Sequence, residues 1–301
     1  MNKIKNIKKK YALNVDRYTI KKGVVIADTR EGRFVFKENN NNNIEKLYNY
    51  LDSRSFYHYG PLINSDNNYN IYRYLDSVDM PREQKALDLM YLLSLLHNKT
   101  TYYKEVDIDD YKEIYEDINN KIETSYQFYN NFMESAESKV YMSPTEYLLA
   151  RNVNKVYGSL VYCKYELKKW YELIKDNRKK RVVTLHNNLE LDHLIKKDEA
   201  FLISWEASKE DMPFYDLYDF YKKHYLELDF VELFKTYESK YPLLEEERKL
   251  LFVLLSLPEI IDLDNTEYLN CKVINTLLEY IYKTEQLILN YHPTEEVNQT
   301  T

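Results

Sequence analysis

The side chains best suited to chemistry are concentrated between residues 181 and 217. An apolar run is followed by a polar loop with imidazole, amide and carboxylate groups: His186, Asn187, Asn188, Glu190, Asp192 and His193. A second polar cluster contains Ser204, Trp205 and Glu206. Such groups accept protons or bind cations, so this stretch is the first candidate for a catalytic or binding site.

The elements around this loop are predicted to hold it at both ends. Residues 181–185 are rich in β-branched side chains and predict a short strand that leads into the loop. Pro213 precedes a helical pattern, and Asp216 lies near its start, where an acidic side chain caps backbone N–H groups. The loop is therefore expected between a strand and a helix.

The N-terminal quarter of the chain reads as a small sheet with one helix. Residues 17–37 give strand, turn and strand, and the third run ends at Lys37. Five asparagines predict a polar loop, and a helix follows over 44–51 with Glu45 at its start. Two further β-rich runs lie at 57–63 and 69–75. We predict an N-lobe over residues 1–76.

The rest of the chain is predicted to be mostly helical. Apolar residues recur at helical spacing over these stretches: 82–97, 107–133, 143–174, 214–240, 245–256 and 266–290. Ser143, a proline and Glu146 form the start signal of the 143–174 helix. We predict a helical C-lobe over 77–292, with a loop region at 181–217 and a polar tail at 293–301. The fold class is α+β.

The loop and its flanks resemble the aminoglycoside phosphotransferase and choline kinase family. In that family a His-Gly-Asp-Leu loop ends in Asn, and Ile-Asp-Trp/Phe-Glu and a Pro-x-x-Asp-Leu helix start follow. The residues that match are His186, Leu189, Leu194, Ile203, Trp205, Glu206, Pro213, Asp216 and Leu217. The resemblance implies a protein-kinase-like fold with a small β-rich N-lobe and a large, mostly helical C-lobe. It also implies that Lys37 contacts ATP and that Glu45 is its ion-pair partner.

Three positions depart from the family where its chemistry takes place. Asn188 stands at the catalytic Asp, His193 at the metal-binding Asn, and Ser204 at the Asp that holds Mg²⁺. An amide cannot take the proton of an acceptor hydroxyl, and a missing general base costs about 10²–10⁴ in rate. Magnesium prefers carboxylate and carbonyl oxygens, so imidazole and a neutral hydroxyl are poor replacements. We therefore expect weak or absent Mg²⁺ binding.

These losses predict a catalytically degenerate pseudokinase that acts as a binding or scaffold module. His186 is expected to organise the loop, and Asp216 to have a structural role. The alternative is an active ATP-dependent phosphotransferase with a hydroxyl acceptor, in which Asp192, Glu190 or Glu206 replaces the missing carboxylates. A third alternative is an unrelated helical interaction protein, which would lack a five-stranded sheet over residues 17–75.

The composition limits the classes of partner that we expect this chain to bind. A net charge of −7 and a pI near 5.6 disfavour nucleic acid, and no apolar run is long enough for a membrane span. A cytoplasmic protein is expected, with reduced thiols at Cys163 and Cys271. The N-terminal basic run, Lys3 to Lys10, is predicted to be a solvated helix face.

Tyrosine usage is the unusual feature of the composition. The chain has 32 Tyr against 11 Phe, which reflects AT-rich codons or else a use in tyrosine cross-linking. Within the family, this Tyr-rich and Asn-rich character is similar to that of spore-coat-associated kinase-like proteins of low-GC Gram-positive bacteria.

Overall fold

The computed structural model describes residues 7, 10, 11, 14–21, 23–39 and 43–291, apart from the side chain of residue 108. Their contacts group into two units, one of residues 1–100 with 186–209 and one of 101–185 with 210–301. The polar loop therefore groups with the N-terminal sheet. The predicted lobes are continuous in sequence and meet at residue 76, whereas each contact unit combines two separate segments. The predicted boundary stays a prediction.

The first unit contains a five-stranded antiparallel sheet in the order β1-β2-β3-β5-β4. Its strands are β1 Val15–Lys21, β2 Val24–Thr29, β3 Gly32–Glu38, β4 Leu62–Ser65 and β5 Tyr69–Arg73. The predicted strand at 57–63 is wrong in position, because pairing with β5 begins only at Leu62. A five-stranded sheet counts against the reading of an unrelated helical protein.

Alternation along β2 and β3 gives the sheet its buried face. Val25 lies opposite Phe36 and Ala27 lies opposite Phe34, and these side chains pack in the core of the unit. Gly23 has a φ of +84° between β1 and β2, a conformation that side chains with a Cβ rarely adopt. Lys37 follows Phe36 and therefore projects from the opposite face of β3.

Two helices and a hairpin complete the first unit. The helices are α1 Ile44–Ser53 and α2 Arg82–Thr100, and the hairpin pairs β8 Leu194–Lys196 with β9 Ala200–Leu202. The N–H of Leu202 donates to the carbonyl of His58 (2.9 Å), and the N–H of Gly60 donates to the carbonyl of Leu202 (3.2 Å). These bonds tie the hairpin to the chain ahead of β4.

The second unit is mainly helical, as predicted. Its helices are α3 Ile108–Glu137, α4 Pro144–Ile174, α5 Phe214–His224, α6 Phe230–Glu238, α7 Glu245–Ser256 and α8 Glu267–Asn290. A small sheet has the order β10-β7-β6, with β6 Tyr102–Glu105, β7 Lys179–Leu185 and β10 Lys209–Asp211. The chain passes between the two units three times, after α2, at the end of β7 and within β10.

Helix starts follow the sequence signals closely. Ser143 Oγ accepts from the N–H of Glu146 (3.3 Å), and the Glu146 carboxylate accepts from the N–H of Ser143 (2.8 Å), so the predicted capping box is confirmed. The single helix predicted at 214–240 is wrong. It is two helices, because Asp229 accepts from the N–H groups of Val231 and Glu232 and starts α6 afresh.

Several expectations concern the ends of the chain and its cysteines. Lys3, Lys5, Lys8 and Lys9 of the basic run and the tail from residue 292 lie outside the described residues. Lys10 pairs with Asp66 at 2.8 Å. Cys163 and Cys271 are free thiols, and burial raises the pKa of Cys163 to about 12. Within the described part of the chain, no helix combines the length and apolar character needed to cross a membrane.

Candidate functional site

His186 holds the polar loop to the segment that contains Ser204. It is fully buried, and its Nε2–H donates to the carbonyl of Ile203 at 2.9 Å. The N–H of Ile203 donates in turn to the carbonyl of His193 at 3.0 Å. Three positions of the predicted site, His186, His193 and Ser204, are therefore held side by side. The organising role of His186 stays a prediction.

Trp205 is the apolar anchor of the same segment. Its indole N–H donates to the carbonyl of Leu202 at 2.8 Å. The ring is 2% exposed and packs edge-on against His186 (4.8 Å between centroids) and Phe56 (6.2 Å). The residues on either side of Trp205, Ser204 and Glu206, are thereby fixed in place.

Two residues of the loop have left-handed backbone conformations. Asn187 has a φ of 55° and Ser204 a φ of 72°. Asn187 stands where the family loop has Gly, and asparagine tolerates this conformation better than most side chains. Its Nδ2 donates to the carbonyl of Ala207 at 3.0 Å. Each such residue costs about 1–3 kcal/mol, which the hydrogen bonds and the buried ring of Trp205 offset.

Lys37 contacts the Ser204 segment directly. Its Nζ donates to Ser204 Oγ at 2.9 Å and to Glu206 Oε1 at 3.0 Å. Lys37 is 17% exposed and Glu206 is 33% exposed, so the pair is screened from water only in part. The group of Lys37, Asn188, His193, Ser204 and Glu206 is called the Lys37 centre below.

Glu45 is not the partner of Lys37 that the resemblance implied. Glu45 is exposed in the first turn of α1, and within the described residues the carboxylate that pairs with Lys37 is Glu206. The reason is helical phase. Ile44, Tyr48 and Leu51 form the buried stripe of α1, and Glu45 lies one residue off that stripe. The expected Lys37–Glu45 ion pair is therefore wrong.

Tyr48 occupies the inward position of α1 instead. Tyr72 lies close enough to Tyr48 for the two phenols to interact electrostatically. Burial raises the pKa of both phenols above the ordinary value, and the negative charge of Glu206 adds to this effect. Sequence reasoning missed both tyrosines, although the 44, 48, 51 spacing on α1 was the signal for Tyr48.

Asn188 and His193 are joined to each other. The Nδ1–H of His193 donates to the backbone carbonyl of Asn188 at 2.7 Å. Because a carbonyl only accepts, this nitrogen carries the proton and has no lone pair for a cation. Asn188 itself is half-buried. His193 thus serves as a clamp on the loop backbone through Nδ1.

Three acidic residues were candidates to replace the missing catalytic carboxylates, and they differ in position and exposure. Asp192 is exposed on the short 3₁₀ turn Leu191–His193, and Glu190 is the half-buried residue that precedes this turn. Glu206 is at the Lys37 centre. Asp216, in the second unit, is 1% exposed within the first turn of α5. Its predicted structural role fits such burial but remains a prediction.

The donor set of the Lys37 centre does not fit a magnesium ion. His193 Nδ1 is protonated, Ser204 Oγ accepts from a cation, and Glu206 is already paired with that cation. Within the described part of the chain, no group of three or more His, Cys, Asp or Glu side chains could hold a metal. Magnesium favours several carboxylate or phosphate oxygens in octahedral geometry, which these three side chains do not supply.

No family model matches this sequence, and neither does any curated protein. Solved structures match it in fold. An aminoglycoside phosphotransferase from Alicyclobacillus acidocaldarius superposes with a TM-score of 0.60 at 9% identity, over 92% of this chain and 89% of that chain. The AMP-bound complex of spectinomycin phosphotransferase superposes with a TM-score of 0.52 at 12% identity, over 97% and 98%.

These matches, with the antiparallel N-terminal sheet and the helical C-terminal part, define the class of the fold. The chain has the protein-kinase-like α+β fold of the aminoglycoside phosphotransferases. The family resemblance carried by residues 186–217 is confirmed at the level of the fold.

Proposed function

We propose that this chain is a catalytically degenerate kinase-like protein, a pseudokinase that serves as a binding or scaffold module. The observation that carries the proposal is the internal pairing of the Lys37 centre. Lys37 is neutralised by Glu206, Ser204 accepts from Lys37, and His193 is bonded to the backbone of Asn188. Groups that would handle magnesium and phosphate in a phosphotransferase are used here to bind one another.

Nucleotide binding without magnesium is the second part of the proposal. A structural neighbour, spectinomycin phosphotransferase, carries AMP in its solved complex. The cation that would receive a phosphate here is Lys37, which must first leave Glu206. This exchange makes Glu206 an internal competitor of the nucleotide phosphates, so ATP binds weakly and magnesium adds little. We expect no nucleic-acid partner, and no feature of the described residues identifies a protein partner.

An active ATP-dependent phosphotransferase is the alternative. One observation favours it, namely that Glu206 places a carboxylate beside Lys37. In that case Glu206 would hold the metal and Asp192 would take the proton of the acceptor hydroxyl. The exposed position of Asp192 on its 3₁₀ turn argues against the second of these roles.

Substitution of Glu206 separates the two functions because they predict opposite signs. In the pseudokinase, Glu206→Gln frees Lys37 and strengthens ATP binding about 2- to 5-fold, the value of a partly exposed ion pair. In the phosphotransferase, the same change removes a metal ligand and weakens Mg²⁺-dependent binding. Titration calorimetry with ATP, with and without Mg²⁺, measures both.

Glu45→Gln is the matched control, because Glu45 is exposed and is not paired with Lys37. It leaves the ATP affinity unchanged in either case. A loss of magnesium-dependent affinity in the Glu206 variant would contradict the proposal. Association with a spore coat is a narrower part of the proposal that rests on composition alone, and immunodetection in coat extracts tests it.

A further inference from the structure

We propose that the second unit contains a binding site for a small anionic ligand with an apolar body. The site is a cavity of about 410 Å³, which lies in the usual range for small-molecule pockets. Its walls come from α3, α4, α7, the start of β7 and Met212. This cavity, with all its lining residues, is called the basic cavity below, and its main side chains are those of Tyr111, Trp170, Arg178, Lys179 and Leu250.

The floor of the basic cavity is apolar and aromatic. Trp170 and Leu250 are 2% and 0% exposed, and the ring of Trp170 meets that of Tyr111 edge-on at 6.4 Å. Ile174 and Met212 also line the cavity. Such a floor favours a ligand with an aromatic or branched apolar body, because its burial removes apolar surface from water.

One polar group of the floor is the indole N–H of Trp170. Within the described part of the chain, the indole N–H of Trp170 has no hydrogen-bond acceptor, whereas that of Trp205 donates to a carbonyl at 2.8 Å. This nitrogen is open to solvent, because it is not among the fully buried polar atoms that lack a partner. An acceptor oxygen on a ligand in the cavity would supply one.

The rim is basic. Arg178, Lys179, Lys180 and Arg181 follow one another in the sequence, and all four line the cavity. Arg181 is paired with Glu247, and Lys180 lies 3.7 Å from Asp211. Arg178 and Lys179 have no carboxylate partner among the described residues. Two cations are thus presented to the cavity without an internal counter-ion.

The backbone that presents these two cations is fixed. The carbonyl of Arg178 accepts from the N–H of Val106 at 3.1 Å, and the carbonyl of Lys179 accepts from the hydroxyl of Tyr111 at 3.1 Å. A rim held in this way loses less entropy when it binds a ligand.

Charge selects an anion over a cation. The lining has four basic side chains and two acidic ones, Glu246 and Glu247, in a chain whose net charge is −7. Because Arg181 neutralises Glu247, the remaining excess at the rim is positive. A ligand with a carboxylate or phosphate head would pair with Arg178 and Lys179, and its apolar body would lie over Trp170. No residue of the Lys37 centre takes part, so the site stands independently of the proposed function.

The test uses 4-phenylbutyrate as the probe and 4-phenyl-1-butanol as its uncharged match. Indole fluorescence is excited at the red edge, where the phenyl group does not absorb. The full-length chain is expected to bind 4-phenylbutyrate with a dissociation constant of about 1 mM, as befits a fragment of this size. The alcohol binds about 10-fold more weakly, and so does the acid to the variant R178Q/K179Q.

Two control variants make the result specific. K155Q/K164Q removes two exposed cations from α4 that do not line the cavity, and it keeps the full affinity. W170F abolishes the fluorescence response. Because Trp170 is buried, calorimetry on R178Q/K179Q gives a second measurement that does not depend on how W170F folds. Equal affinities of acid and alcohol, or full affinity of R178Q/K179Q, would overturn the proposal. Binding of an acidic peptide with a central phenylalanine, but not of the small acid, would overturn it in favour of a protein partner.

Discussion

The Lys37 centre and the basic cavity use their charges in opposite ways. In the Lys37 centre, the cation is paired with Glu206 and Ser204, and the neighbouring imidazole clamps a backbone carbonyl. In the basic cavity, Arg181 is paired but Arg178 and Lys179 meet no carboxylate among the described residues. Charges that pair internally are satisfied within the fold, whereas charges without a counter-ion can bind a ligand.

This contrast separates the apolar framework around the loop from the polar side chains within it. Four residues that match the phosphotransferase pattern are buried, namely His186, Leu189, Leu194 and Trp205. Lys37, His193, Ser204 and Glu206 make contacts within the first unit. The apolar residues would then dominate stability at the Lys37 centre, and removing its ionic groups would cost little.

Trp205→Ala should have the largest effect, and it breaks the Lys37 centre at its anchor. Loss of a buried indole that packs on His186 and Phe56 is expected to lower the free energy of unfolding by about 3–5 kcal/mol. Urea denaturation followed by circular dichroism measures it. Trp205→Phe is the control, and a cost as large for Phe as for Ala would mean that the hydrogen bond to Leu202 matters more than packing.

Arg181→Gln tests the paired cation of the basic cavity. Its Nε donates to Glu247 at 2.9 Å, and both side chains are nearly buried. Removing one partner of such a pair leaves a buried charge and costs about 3 kcal/mol. Lys179→Gln, the matched unpaired cation, should change stability by less than about 0.5 kcal/mol. If chemical denaturation gave the same loss of unfolding free energy for both variants, the distinction between the paired and the unpaired cation would be wrong.

The loss of stability at high pH gives a further test of the paired cation, because Tyr241 stacks on Arg181 at 4.4 Å. Burial raises the pKa of Tyr241 to about 12, against about 10 in an unfolded chain. The folded state holds the proton longer, so this contribution is complete below about pH 10 and is lost as the pH rises toward 12.

The expected loss from Tyr241 is about 1.4 kcal/mol per pH unit over that interval. Tyr241→Phe keeps the aromatic ring over Arg181 and removes the ionisable group. The dependence of the urea midpoint on pH should therefore be shallower in this variant. Parallel curves for the two proteins would show that Tyr241 ionises at its ordinary pKa.

Among the substitutions of paired residues, Glu206→Gln should have the smallest effect on stability, about 1 kcal/mol, because its pair with Lys37 is partly exposed. A double-mutant cycle with Lys37→Met isolates the pair and should give a coupling of about 0.5–1 kcal/mol. A coupling near zero in urea denaturation would mean that the Lys37 centre is not held by its ion pair.

Local signals predicted most of the elements, since they depend on residues close in sequence. Alternation found β2 and β3, and the Ser143 capping box found α4. The break between α5 and α6 was missed because the apolar period continues across it, although Asp229 was a readable cap. Family positions assigned His186, His193 and Ser204 to one site, and the hydrogen bonds of His186 and His193 to Ile203, which precedes Ser204, hold the three residues side by side.

Contacts between distant residues could not be read in the same way. The pairing of Lys37 with Glu206 joins residues far apart in sequence, and it depends on the phase of α1 and the left-handed turn at Ser204. The basic run 178–181 can be read in the sequence, but its position at a cavity cannot. Its meaning depends on Trp170 and Leu250, which only the packing of α4 and α7 brings beneath it.

Turnover of ATP tests most directly whether this chain is a pseudokinase. The measurement is release of labelled phosphate from γ-labelled ATP with Mg²⁺, for the native chain, Lys37→Met, Asp192→Asn and Glu206→Gln. All four proteins are expected to release phosphate at the same background rate. Magnesium-dependent turnover by the native chain that is lost in Asp192→Asn or Glu206→Gln would contradict it, and would show that displaced carboxylates perform the chemistry.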